Sequence, residues 1–428
     1  MEIIKMKIRA PEYIFNNANV LIAVPLLSTA ISVQAVETGF IEDSTAGLNL
    51  RNYSMSRNYV SDSATQSKAE AWSQAFILNY TSGFTHGLVS FGVDAMGLYA
   101  VKLDGGRGTA GTQLMPVHDD GHAADDYGRL AIAGKVRISA TELKVGEWMP
   151  TLPILRSDDG RSLPQTFRGA QITSREIENL TLYGGQFRAN SPRNDASMED
   201  MFLAQKPGVT SDRFNFVGGE YTFNDKRTLL GGWGAALKDI YRQQMIQVTH
   251  SQPIGKWTLG ANVQWYKGQD EGRSLAGDLD NRTWSGLFSA RYGANTFSIG
   301  LQKVSGQDGW MKVNGTSGGS LANDSFSSSY ENANERSWQV RHDYNFVALG
   351  VPGLVVMNRY IKGRGIHVGG ETGVKEWGRE TELAYVFQSG ALKDLNIKWR
   401  NSTLRRGWGT NTSFNENRLI LNYPLSLF

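Results

Sequence analysis

The sequence predicts an all-β chain closed into a transmembrane antiparallel β-barrel. Three observations carry that expectation. Apolar and polar residues alternate at period two in segment after segment, whereas no sustained 3.6-residue pattern appears. Aromatic side chains make up 11% of the chain and fall near the ends of those segments, accompanied by 48 glycines. No window reaches the roughly 18 to 20 consecutive apolar residues of a spanning helix, which excludes a helical membrane protein. Cysteine is absent, which removes a disulfide framework, thiolate zinc sites and cysteine nucleophiles. Lys and Arg number 44 against 41 Asp and Glu, so the net charge makes no case for a nucleic-acid partner.

The first element stands apart from the rest. Lys5, Lys7 and Arg9 precede the apolar run 20–33, which is too short to span and ends at Val33, Gln34 and Ala35. This pattern reads as a cleaved secretory signal over residues 1–35, leaving 36–428 as a single barrel domain. Pro25 would disrupt a buried helix at that position.

The strands follow. In 258–265, Leu259, Ala261, Val263 and Trp265 form an apolar face opposite Thr258, Gly260, Asn262 and Gln264. Segment 337–346 sets Trp338, Val340, His342, Tyr344 and Phe346 opposite Ser337, Gln339, Arg341, Asp343 and Asn345. Segments 72–80, 89–103, 284–292 and 395–401 repeat the theme. A soluble sandwich also alternates, but its polar face carries many Lys and Glu over a core of Val, Ile and Leu. Here the polar positions are often Gly, Ser, Asn, Gln or Arg. Trp72, Tyr80, Trp257, Trp265, Trp284, Tyr292, Trp338, Trp399 and Tyr423 suit the aromatic girdles of a membrane barrel. Hydrocarbon cannot satisfy backbone amides, so strands that cross it must close on themselves.

The connections come next. Spreading residues 36–428 over 18 strands gives about 22 residues per strand and connection, and over 16 about 25; both suit a bacterial barrel. Turns at 253–256 and 293–295 are short, whereas 306–336 is a long polar segment, the rhythm of short periplasmic turns and long outer loops. A barrel of this size leaves a water-filled lumen, which makes solute passage the default function. Segment 147–175 is the candidate constriction: Pro150, Pro153 and Pro164 exclude a central strand, and Arg156, Asp158, Asp159, Arg161, Arg168 and Arg175 supply charge without alternation. An ordinary surface loop is the competing reading of the same residues.

Several stretches in order resemble the OprD family, the substrate-specific outer-membrane carboxylate channels of Gram-negative bacteria. They are Gly39 to Asp43 (GFIED), Leu50 to Tyr53 (LRNY), Asp125 to Tyr127 (DDY), Lys135 to Ser139 (KVRIS), Pro164 to Thr166 (PQT) and Asp239 to Gln243 (DIYRQ). The C-terminal third adds Gln302 to Val304, Ser337 to Gln339, Val351 to Leu354, Arg359 to Ile361, Gln388 to Gly390, Lys393 to Leu395, Asn417 to Leu419 and Tyr423 to Leu425. No single stretch is specific; the ordered set spans the mature chain. The terminal Phe428 matches the signal by which the barrel-assembly machinery receives such chains.

The resemblance implies an 18-stranded barrel in the outer membrane, a monomer or a loose homotrimer, with inward-folded loops and no cofactor or metal. It also implies a ladder of basic residues that passes small anionic or zwitterionic solutes. Carried over by position, the ladder comprises Arg57, Arg341, Arg359, Lys398, Arg400 and Arg418, with Arg137 and Arg242 as weaker lumen candidates. The alternation supports this reading: Arg341 lies opposite Trp338 and Val340 in the pattern, and Lys398 and Arg400 alternate with Ile397 and Trp399. A charge facing lipid at mid-bilayer costs about 2–4 kcal/mol, which turns such side chains inward. The acids, by contrast, are expected in the loops.

Two departures from the family pattern bear on substrate. Ala384 stands where a basic residue is expected, and 325–330 (SFSSSY) is neutral where some members place an acid that receives an amine. Simple or aromatic carboxylates are therefore favoured, with basic amino acids and peptides as the alternative.

Other signals are weaker. Residues 106–111 fit GxGxxG, but Pro116 and its neighbours supply no following helix, so a loop is expected. His118, Asp119, Asp120, His122, Asp125 and Asp126 lack the fixed spacing of a metal site and read as a surface loop. An outer-membrane hydrolase built around His342 is the rival class, but the one Gly-x-Ser-x-Gly match, 315–319, lies in a long polar segment and not on the strand-to-helix elbow that would support it. A plugged adhesin barrel is a third.

Overall fold

The computed structural model describes residues 39–428; the expected signal over 1–35 and the mature start near Val36 lie outside the described residues. The chain begins with β1 (Thr45–Tyr59), β2 (Lys68–Thr81), β3 (Val89–Asp104), β4 (Asp126–Ile138) and β5 (Thr141–Trp148). It continues through β6 (Thr166–Ile177), β7 (Leu180–Ser191), β8 (Phe214–Phe223), β9 (Thr228–Leu237), β10 (Tyr241–Ile254) and β11 (Trp257–Asp270). The last third forms β12 (Asp280–Tyr292), β13 (Asn295–Ser305), β14 (Arg336–Asn345), β15 (Leu354–Val368), β16 (Glu371–Val386), β17 (Asn396–Arg406) and β18 (Phe414–Ser426). These make one 18-stranded sheet. Each strand pairs antiparallel with its chain neighbour, and β18 returns to pair with β1, with Asn422 opposite Arg51, so the sheet has no free edge. Closure removes the unpaired backbone groups that hydrocarbon could not satisfy.

One end carries short turns, including 139–140, 178–179, 255–256 and 293–294, and the other carries the long segments 105–125, 149–165, 192–213 and 306–335. Gly255 and Gly293 open two of the tight turns with φ of 59° and 57°, a conformation that a two-residue hairpin demands and glycine reaches without strain. The outward face is apolar along the middle of the strands, with Ile246, Ile299, Leu301 and Val340 exposed. Aromatics flank that band. Trp257 and Tyr292 pack at 4.8 Å at the short-turn end, and Trp265 and Trp284 at 6.1 Å towards the loops. These are the two interface girdles expected from the sequence.

The interior is not uniformly polar. Inward-facing Phe187, Phe214, Phe216, Trp233, Tyr241 and Tyr266 on β7 to β11 join loop residues Leu152, Leu155, Trp310, Met311 and Val313 in a buried apolar cluster. A second cluster packs Leu114, Met115 and Leu163 from the loops against Tyr53, Met55 and Tyr127 of the wall. Close approach needs a bare backbone at one point: a Cβ at Gly218 would lie 2.2 Å from the Trp233 ring. Glycine there lets the indole lie flat on the barrel wall.

Candidate functional site

Two loops narrow the lumen. Segment 147–175, expected as one constriction, divides: β5 runs to Trp148 and β6 begins at Thr166, so 149–165 alone leaves the wall. Arg168 therefore sits on a strand, on the same alternation as exposed Ile172, with its side chain 59% exposed and 3.6 Å from Glu147. This corrects its assignment to the constriction; the prolines end at Pro164, and nothing after it interrupts pairing with β5. Arg156, Asp158, Asp159 and Arg161 do lie in the inward loop. Arg51 of β1 clamps it, donating from Nη1 to Asp159 at 2.7 Å and to the Arg161 carbonyl at 2.8 Å. Tyr53 donates to the Gly160 carbonyl at 3.2 Å.

The loop's charges are locked into pairs. Arg193 meets Asp158 at 2.7 Å. Burial works to raise the Asp158 carboxyl, but Arg193 and Arg161 outweigh it and hold the group below the usual carboxylate range. Burial, with Arg193 and Arg418 nearby, pushes the Arg161 guanidinium down to about 9. A desolvated cation beside other cations gains more than most from an arriving anion.

The second narrowing loop, 306–335, has the length of an outer loop, yet it folds into the barrel. Trp310, 3% exposed, meets Tyr266 edge-on at 5.5 Å, and Gln302 donates to the Tyr330 carbonyl at 2.7 Å. The two loops also tie to each other. Ser317 N–H donates to the Arg156 carbonyl at 3.0 Å, and Gln165 donates to the Asn314 carbonyl at 2.9 Å. The readable signal was Trp310, Met311 and Val313 in an otherwise polar run: a solvent-exposed loop has no use for that side-chain area. The neutral stretch 325–330 is flanked by Asp324 and Glu331. Burial pushes the Asp324 carboxyl up to about 7 against the pull of the Ser329 hydroxyl, which donates to it at 2.6 Å.

Arg57, Arg341, Arg359, Lys398, Arg400 and Arg418 all project inward, on one continuous wall from β14 through β18 to β1. Arg341 lies directly opposite Arg359, and Arg400 directly opposite Arg418. Between them β16 contributes acids: Glu380 opposite Arg359, and Glu382 opposite Arg400. The acids expected in loops are thus partly on the wall, in register with the bases. Arg57 and Arg418 share Glu416 at 2.7 and 2.5 Å, Arg341 pairs with Asp343 at 2.7 Å, Arg359 pairs with Glu380, and Glu382 serves Arg400 at 2.5 Å and Lys398 at 3.9 Å. Parity explains the arrangement, because a lumen face gathers every polar residue of one alternation whatever its sign.

Arg51 and Arg406 belong to the same wall and were missed, although each shares the parity of a named neighbour, Arg57 and Arg400. Arg406 meets Glu376 at 2.8 Å. Over the wall sits Phe326 of the second loop, with its ring centre 4.9 Å from the Arg400 guanidinium, 5.3 Å from that of Arg418 and 5.4 Å from that of Arg359. Arg359 also donates to the Asp324 carbonyl at 3.0 Å. Three guanidinium groups converge on one ring at the narrowing.

The remaining expectations fare differently. Arg242 is exposed on the outward register of β10 with Ile246 and Val248, so it is not a lumen residue; Tyr241 and Gln243 take the inward positions instead. Arg137 faces inward near the short-turn end, 3.9 Å from the Phe84 ring centre. Ala384 occupies an inward position opposite Lys398. In loop 105–125, Asp125 pairs with Lys102 at 2.7 Å and Asp120 with His122 at 3.1 Å, and no acid or histidine group able to hold a metal occurs among the described residues. His342 stacks on Phe297 at 4.8 Å on the outer wall, where its ring completes an aromatic row.

Comparison with known proteins fits this geometry. The family profile described as outer membrane porin, OprD family, matches residues 38–427. The porin-like protein GalP of Pseudomonas putida is 63% identical over 401 residues, covering 94% of this chain and 96% of the relative. A BenF-like porin from Pseudomonas fluorescens is 64% identical with a TM-score of 0.90, over 91% of this chain and 100% of that one. OccK2 (OpdF) of Pseudomonas aeruginosa, solved in complex with glucuronate, is 60% identical with a TM-score of 0.85 over the same shares. Fold and relatives describe an outer-membrane channel rather than an enzyme, and the chain belongs to the OprD family of porins.

Proposed function

We propose that the protein lets small carboxylate-bearing solutes diffuse passively and selectively through the outer membrane, guided by Arg57, Arg341, Arg359, Lys398, Arg400 and Arg418. The observation that carries this reading is the convergence of Arg359, Arg400 and Arg418 on Phe326 where the loops narrow the lumen. Glucuronate, bound by the related OccK2, carries such a carboxylate. Cations grouped along a narrow passage focus potential, because low-dielectric walls limit screening. A guanidinium has five donors; Arg57 and Arg341 each meet one carboxylate, which leaves donors for a passing solute, whereas Arg359 and Arg418 also donate to loop carbonyls. Successive weak sites favour throughput over retention. Arg156, Asp158, Asp159 and Arg161 then act at the constriction, where the ion-paired loop sets the aperture and Arg161 attracts the anion.

The test is flux through the protein reconstituted in liposomes. Replacing Lys398 and Arg400 together by Gln should lower benzoate or glucuronate uptake about tenfold, the order of one lost charged hydrogen bond, with far less change in neutral-sugar leakage. Equal loss of both would overturn the ladder.

A second reading has one observation in its favour. Asp324 beside the neutral stretch offers a carboxyl to an amine, Glu331 being paired with Lys312 at 2.6 Å, which fits a basic amino acid whose carboxylate rests on the ladder. Faster uptake of arginine than of benzoate would select it.

A further inference from the structure

We propose that the lumen holds a second station, on the side opposite the basic wall, which takes the hydroxyl-bearing body of a carboxylate solute while Arg156 holds its charge. A cavity of about 580 Å³ opens beneath the inward loops against β5 to β11. That volume lies within the range of small-molecule sites. Its wall presents Gln171 and Thr173 from β6, Gln247 and Thr249 from β10, and Asn262 and Gln264 from β11. On β10 and β11 these side chains touch one another: Thr249 donates across the strands to Asn262 at 3.4 Å, and Gln264 donates along β11 to Asn262 at 3.2 Å. Backbone shape makes room for them, since a Cβ at Gly231 would lie 2.9 Å from the Gln247 side chain.

The chemistry of this wall differs from that of the ladder. Each amide offers an acceptor and two donors, and each threonine hydroxyl offers both roles. A row of such groups matches a ligand whose hydroxyls both donate and accept, and it requires no charge on that part of the ligand. Of the charges at the margins, Lys144 and Glu220 are already committed, while Glu142 and Arg175 stand at the lower edge, towards the short turns. Lys144 pairs with Asp94 at 2.6 Å, and Glu220 accepts from Gln247 at 3.2 Å and from Tyr183 at 3.4 Å. Arg156 is different: it hangs from the loop at the top of the cavity beside Gly319, and its Nε is buried without a hydrogen-bond partner. A buried donor without a partner carries a desolvation cost that a carboxylate would relieve. Arg156 above and the amide row below describe a hydroxylated monocarboxylate, either a sugar acid or a hydroxylated ring acid.

This inference rests on the carboxylate reading, and the experiment separates the two. Uptake of glucuronate and of cyclohexanecarboxylate is measured through the reconstituted full chain, together with a neutral sugar. Both acids carry one charge on a six-membered ring, and only the first carries hydroxyls. The natural protein should favour glucuronate, and Gln247→Leu with Gln264→Leu should lower the glucuronate to cyclohexanecarboxylate ratio about three- to tenfold, as one or two lost hydrogen bonds would. Arg156→Gln should slow both acids. A ratio unmoved by the double substitution overturns the station. Acids passing no faster than the neutral sugar in the natural protein would instead overturn the carboxylate reading itself. Should the double variant not insert as a folded barrel, Thr249→Val with Asn262→Leu at the lower end of the same row carries the same expectation, and an unmoved ratio there is equally decisive.

Discussion

The wall from β14 through β18 to β1 and the wall from β7 to β11 bound one lumen with opposite chemistry. On the first, Arg and Lys stand in register with Glu and Asp, and the loop above touches them through Phe326 and backbone carbonyls. On the second, Phe187, Phe216, Trp233 and Tyr266 bury Trp310, Met311 and Leu155 of the loops. The difference lies in how loop 306–335 is held. Apolar burial at about 25 cal/mol per Å² fixes Trp310 and Met311 on the second wall, whereas Phe326 meets the first wall through guanidinium contacts and a carbonyl, which can exchange partners without losing that anchor.

Removing the anchor should have the largest effect. Trp310→Ala forfeits about 3–5 kcal/mol of local packing, and single-channel conductance should rise several-fold as loop 306–335 loosens. Unchanged conductance would mean that the hydrogen bonds of Gln302 and Gln165 hold the loop unaided. The next effect falls on the charged side. Glu382→Gln removes the carboxylate shared by Arg400 and Lys398, so reversal potentials in a salt gradient should show a higher anion preference, by about two- to fivefold if the freed charges focus potential. A lower preference would mean that Glu382 positions Arg400 more than it neutralises it.

A smaller effect concerns pH. Asp324, with its carboxyl pushed up to about 7, is mostly neutral at pH 5.5 and mostly ionised at pH 8.5. A negative charge appears at the narrowing as pH rises, so anion preference should fall across that interval. Asp324→Asn should hold the acid-side value throughout; a pH response that survives the substitution would point to another group. Salt should act most weakly. Raising it from 0.1 to 1 M shortens the screening length from about 10 to about 3 Å, which should compress the anion preference of the charged wall and leave the Trp310 effect on conductance in place.

The fold was legible because period-two alternation is a local property and a barrel is little more than that property repeated. The same parity placed Arg341, Lys398 and Arg400 inward, and it would have added Arg51 and Arg406 had it been followed to the strand ends. Arg242 failed because matching a family stretch located the strand but not its phase; Ile246 and Val248 beside it carried the phase. Arg168 failed because a proline-rich segment was extended past its last proline. The inward fold of 306–335 was written in Trp310 and Met311, but their partner Tyr266 lies on a different strand, and no local pattern joins them. The acid partners of these basic residues were hidden for the same reason: Glu380 and Glu416 come from strands that meet Arg359 and Arg57 only through tertiary register.

The seam where β18 meets β1 has a consequence for the order of assembly. Arg57 and Glu416 face each other across it, 359 residues apart in the chain, and Glu416 also holds Arg418. Until those two strands join, Arg57 stands on one edge of an open sheet, with Glu416 and Arg418 together on the other. The contact between Arg57 and Glu416 is therefore the last on this wall to exist. The wall is incomplete until its two ends are joined, and the contact between Arg57 and Glu416 is made only by the closure that ends folding.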